Sequence, residues 1–240
     1  MSVYALPLAR ASGEERVEYL QRVLIWTTLG LVLSAITGTL TAVGLYLAMG
    51  MGITLVFNQW FSLIVILGSY AVAHYVAPKM VFGQAKVLGF GVGAVFQGIS
   101  MGYLILYAVL MGMDMGNPFG LVGGALGLTA LTGGGLAAYV RTGPKEFGWL
   151  GAGLSALFLP MLVLMGVGFV FPAMFGGFFG IVIAAVFVAI SAAGLLYQIN
   201  VVMHRLDTNQ HIEGSYLIMM GVLVLFWNIL SLIMRLTSRD

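Results

Sequence analysis

Leu196-Tyr197-Gln198-Ile199-Asn200 closes an apolar run at about 176–201, and Leu225-Phe226-Trp227-Asn228 lies inside a second run at about 215–236. A polar link holding His204, Arg205, Asp207, His211 and Glu213 separates them. Each run reaches the ~20 residues that a helix needs to cross hydrocarbon. The link is short, so the two helices must run antiparallel. A paired membrane crossing is therefore the unit from which the rest of the chain can be read.

Outward from this pair the same unit repeats. Further apolar runs fall at about 22–48, 54–77, 87–112, 118–140 and 148–171. Pro78 is expected to end the second, Pro118 to open the fourth and Pro160 to kink the fifth. The expected fold class is all-α: a polytopic bundle of seven transmembrane helices over 22–240, preceded by a polar amino-terminal tail at 1–21. Composition agrees, because 61% of the 240 residues are hydrophobic and only 8% are charged, against roughly 25% in soluble domains. The short alternating segments of a membrane β-barrel are missing. The first run is too long for the apolar part of a signal peptide, and its flank is acidic as well as basic, so it reads as an uncleaved helix.

Basic residues set an orientation. Arg10, Arg16, Arg22, Lys79, Lys86, Arg141, Lys145 and Arg205 fall on one side of the alternation, and only Arg235 and Arg239 on the other. The positive-inside rule then expects the amino terminus inside and the carboxyl terminus outside. Trp26, Trp60, Trp149 and Tyr197 lie near span ends, where headgroup-level aromatics belong.

Small residues mark the expected helix contacts. Gly30, Ser34, Gly38 and Ala42 recur every four residues in the first span, Gly89 and Gly93, then Gly98 and Gly102, populate the third, Gly116, Gly120 and Gly124, with Gly123 and Gly127, the fourth, and Gly176, Gly180 and Ala184 the sixth. The triple glycine Gly133–Gly135 is a candidate flexible point. Packing within the bundle is the favoured reading of these series over a homodimer face.

The chemistry available is sparse. The absence of cysteine excludes thiol catalysis and disulfides. No nucleophile–base pair, phosphate loop or metalloprotease element is present, so the chain is expected not to be an enzyme and to need no cofactor. The net charge of +2 gives no reason to expect nucleic acid. All eight acids fall in the tail, the links or the carboxyl terminus, and His204, Asp207, His211 and Glu213 read as a solvated link without metal-ligand spacing. His74 reads as an interfacial anchor. The candidate polar interior is Gln97, Gln198, Asn200 and Asn228, amides that must find hydrogen-bond partners where lipid offers none. Asn58 and Gln59 lie near one end of the second span. Gln198 and Ser191 share a small, polar helix face that suits the bundle interior, facing Asn228 or Gln97.

Several stretches together resemble the Bax-inhibitor family, and within it the bacterial YccA-like branch. They are Leu33-Ser34-Ala35-Ile36-Thr37, Ala125-Leu126-Gly127-Leu128-Thr129-Ala130-Leu131 with Ala138-Tyr139-Val140, the basic link Thr142 to Trp149 with Gly151, Leu195-Leu196-Tyr197-Gln198, Phe226-Trp227-Asn228, and Ser238-Arg239-Asp240. The resemblance implies a seven-helix bundle with a central last helix, in the bacterial cytoplasmic membrane. It also implies, for some members, a pH-gated calcium leak controlled by a pair of aspartates. Gln198 and Leu225 stand at the positions matching that acidic pair, and neither titrates. The YccA-like branch is associated instead with the membrane protease FtsH, as substrate and modulator. The resulting expectation is a modulator or partner of membrane protein quality control. A structural accessory subunit of a larger membrane complex is the first alternative, and a calcium leak channel the second, disfavoured by the lost acids. Expected partners are the lipid bilayer and a membrane protease or a larger membrane complex.

Overall fold

The computed structural model describes Leu8, residues 11–141, 150–151, 154 and 177–238. Among these residues it is helical throughout, with no strand. Six helices are long and apolar enough to cross a membrane: α1 Gly13–Gly50, α2 Gln59–Val81, α3 Lys86–Asp114, α4 Gly120–Val140, α5 Gly177–His204 and α6 His211–Thr237. The expected fifth span at 148–171, with its Pro160 kink, lies outside the described residues.

α1 starts earlier than its apolar run. Ser12 and Glu15 form a reciprocal capping box: the Ser12 N–H donates to Glu15 Oε2 at 2.8 Å, and the Glu15 N–H donates to Ser12 Oγ at 3.3 Å. The cap satisfies amide groups at the helix start, so the polar residues 13–21 become the first turns of α1.

Pro78 does not end α2, contrary to the expectation from its missing N–H. A π-helical turn at Val72–Val76 precedes it, and the Ala77 N–H reaches back five residues to the Val72 carbonyl. The wider turn absorbs the proline locally, and helical geometry continues to Val81. At the other end of α2, Asn58 is a cap and not an intramembrane polar group. Its Oδ1 accepts from the Trp60 and Phe61 N–H groups at 3.0 and 3.3 Å. The link between α3 and α4 turns at Gly116, whose φ of 72° suits a residue without a Cβ. Pro118 lies in that turn, and α4 begins at Gly120. α4 runs unbroken through Gly133–Gly135.

α1 packs most extensively on α3, and α5 on α6. The α1–α3 seam uses the expected small residues. A Cβ on Gly98 would collide with Thr37 and the Ser34 carbonyl, one on Gly102 with Thr41, and one on Gly30 with Phe90 and Met219. Ser34 Oγ crosses this seam to the Ala94 carbonyl at 2.8 Å. These contacts place the series of α1 and α3 inside the bundle, as interhelical packing requires. α6 is the most buried of the six spans and touches all five of the others. Phe226, Ile229, Leu230 and Met234 carry it through the main core. The opposite face of α1, with Leu24, Leu29, Val32, Ile36 and Leu40, is exposed, as a lipid-facing surface should be.

Candidate functional site at the start of the last helix

The first two turns of α6 gather polar contacts from three other helices. Glu213 is 2% exposed, and its Oε1 lies 2.5 Å from the ammonium of Lys86, the first residue of α3. Glu213 Oε2 has no hydrogen-bond partner among the described residues. Ser215 Oγ lies 3.0 Å from the Val23 carbonyl of α1 and 2.5 Å from the His211 carbonyl of its own helix, which share its one proton, and Thr27 Oγ1 of α1 donates to the Ser215 carbonyl at 3.4 Å. The Tyr216 hydroxyl donates to the Ala73 carbonyl of α2. Tyr19 of α1 lies over Gly214, and its hydroxyl reaches the Val202 carbonyl of α5 at 3.5 Å.

Local chemistry explains this convergence. An acid in the first turn of a helix faces exposed N–H groups and the positive end of the helix dipole, so Glu213 is electrostatically suited to its place. Lys86 is in the first turn of α3, where a cation is disfavoured, and Glu213 compensates it. The π turn of α2 explains the tyrosine contact. Because the Ala77 N–H bonds Val72, the Ala73 carbonyl is released from its usual α-helical partner and is free to accept from Tyr216. Gly93 of α3 gives the Tyr216 ring room, since a Cβ there would meet Cε2 at 2.5 Å. Phe90 lies between Trp26 and Tyr216, edge-on to each, with ring centroids 5.5 and 6.2 Å away.

The expected interior amides are dispersed. Gln97 is 1% exposed on α3 and its Oε1 lacks a partner among the described residues. Gln198 on α5 faces α6, where a Cβ on Gly221 would collide with its Oε1, and that oxygen also lacks a partner among the described residues. Asn228 does not meet it. Its Nδ2 donates to the Val224 carbonyl of its own helix at 3.0 Å. Asn200 is 2% exposed, with Nδ2 3.2 Å from His204 Nδ1. Leu225 is fully buried one turn beyond Gly221, so Gln198 and Leu225, which the resemblance sets against an acidic pair, lie close to one α5–α6 seam. His74 sits in the π turn, stacked on Tyr70 at 3.8 Å, with Nδ1 3.1 Å from the Tyr70 carbonyl.

Glu213 corrects the reading of the link as a solvated segment. A charged residue followed directly by an apolar run looks like a boundary residue, and only the fold reveals that Tyr19 of α1 and Lys86 of α3 close around it. The adjoining His211 Nδ1 is likewise buried without a partner among the described residues. No group of three or more His, Asp or Glu able to hold a metal occurs among the described residues.

The sequence family described as "Inhibitor of apoptosis-promoting Bax1" matches residues 16–239. No curated protein and no solved structure matches the chain.

Proposed function

Because this chain belongs to the Bax-inhibitor family, a family of membrane proteins, we propose that it acts as a non-enzymatic modulator or partner of membrane protein quality control, in the YccA-like manner, through an FtsH-type protease. In this reading it has seven spans in the bacterial cytoplasmic membrane, with the amino terminus inside. The single observation that carries the reading is the α5–α6 seam. Gln198 packs on Gly221, and Leu225 is fully buried where the resemblance places an acid. Two nearby carboxylates could share a proton and separate on losing it. An amide and an alkyl side chain provide no such switch. The family's protein-interaction role needs membrane helices and an accessible cytoplasmic side, and does not depend on that pair.

Purification of the intact protein in mild detergent tests the proposal. Recovery of the membrane protease with the chain, lost when the protease is deleted, supports it. Recovery in a stoichiometric complex of other subunits without the protease overturns it in favour of an accessory role.

A further inference from the structure

Lys86 and Glu213 pair at the first turns of α3 and α6, so these two helices run parallel and Arg235 lies at the far end from the basic Lys79–Lys86 link. At that far end a groove of about 350 Å³ opens between them. Leu104, Tyr107 and Met111 line it on α3, and Ser231, Arg235 and Ser238 on α6. Each set recurs at three or four residues and so follows one helix face. The small serines leave the space open. Their protons are spent within α6, because Ser231 Oγ donates to the Trp227 carbonyl at 2.8 Å and Ser238 Oγ to the Arg235 carbonyl at 3.2 Å. Both oxygens therefore remain as acceptors for an occupant. Among the described lining residues Arg235 is the charged one and none is acidic. It stands in the last turn of α6, where the carbonyl end of the helix favours a cation. It also interacts within the chain, but a guanidinium has five N–H donors and can meet a phosphate as well. Tyr107 is 62% exposed and gives the open side of the groove an apolar ring with a polar tip.

We propose that this groove binds an anionic phospholipid with a hydroxylated headgroup, of the phosphatidylglycerol type. Arg235 meets the phosphate, and the serine oxygens accept from the headgroup hydroxyls. An acyl chain then runs along α3 from Met111 towards Leu104, into the bilayer. The mixed lining selects this occupant. A zwitterionic headgroup would bring an ammonium towards Arg235 and lose the charge match. Inorganic phosphate would leave the apolar wall uncovered. The inference is independent of the protease reading, since it concerns the opposite end of the bundle from the basic links.

Native mass spectrometry of the full-length protein in mild detergent tests it, with equal amounts of phosphatidylglycerol and phosphatidylethanolamine added. The parent should retain phosphatidylglycerol in preference. R235Q changes an exposed residue at a helix end and should retain it about fivefold less, the effect of one cation on an anionic lipid. S231L keeps the charge but fills the groove, and should lose the lipid too. K79Q removes an exposed cation at the opposite end of the bundle and should bind at the parental level. Inorganic phosphate in excess should leave the lipid in place. Equal retention of the two lipids by the parent, or parental retention by R235Q or S231L, would overturn the site. So would an equal loss in K79Q, which would mean adsorption to any surface cation. Displacement by phosphate would overturn the lipid as the occupant.

Discussion

The Lys86 ammonium meets the buried Glu213 carboxylate at 2.5 Å, joining the first turn of α3 to the first turn of α6. Lys86 is 37% exposed and Glu213 only 2%, so the carboxylate bears most of the desolvation. Such a pair adds little net stability over an apolar replacement, yet removing one partner strands the other. The contact sets the first turn of α6 beside the start of α3.

Replacement of the cation alone should therefore be worse than replacement of both charges. K86M should destabilise the bundle by about 2–3 kcal/mol, below the full value for a buried pair because Lys86 is partly solvated. K86M/E213Q should recover much of that loss. Thermal unfolding in a single detergent, with the parent and both single variants, measures the cycle. Equal stability of K86M and the parent would remove the pair from the account.

The Tyr216 hydroxyl and the π turn of α2 form a second joint. Y216F should cost about 1–3 kcal/mol, because the Ala73 carbonyl would be left buried without its donor. The same unfolding assay reads it. A neutral effect would mean that the π turn satisfies its own carbonyls.

The close seams should be sensitive to a single methyl. G98A should be strongly destabilising, since its Cβ would strike Thr37 and the Ser34 carbonyl. G44A, with no neighbour within 4 Å among the described residues, should be neutral or stabilising by up to ~1 kcal/mol through helix propensity. The contrast between them, measured by unfolding in detergent, checks that the α1–α3 seam is tight at Gly98 while the Gly44 position of α1 is open.

Orientation is open to direct labelling because the chain lacks cysteine. Q84C, in the link between α2 and α3, should resist an impermeant thiol reagent in intact cells. M115C, at the other end of α3, should react. Reversal of that pattern would overturn the inside assignment of the basic links.

Much of the fold is legible in the sequence, because the apolar runs and their small-residue spacing follow from the bilayer itself. Six of the expected runs appear as spanning helices, and the α1 and α3 glycine series lie at a real seam. The polar site is less legible. Glu213 and Lys86 lie 127 positions apart and each looks like an ordinary boundary charge; only helix assembly makes one of them buried. Asn58 has the composition of an intramembrane amide but the position of a cap. Pro78 signals a helix end that a π turn avoids. The polar stretch 1–21 has the charge of a solvated tail, yet Ser12 and Glu15 start a helix within it and Leu8 and Tyr19 carry apolar surface onto α5.

The α5–α6 seam, with Gln198 on Gly221 and Leu225 buried one turn further along α6, carries no carboxylate pair that could gate an ion path. Calcium flux into vesicles containing the purified protein tests it most directly. Flux should stay at the level of protein-free vesicles, unchanged between about pH 6 and 8, the window of a raised carboxylate pair or a histidine. A protein-dependent flux that changes steeply across that window would contradict it.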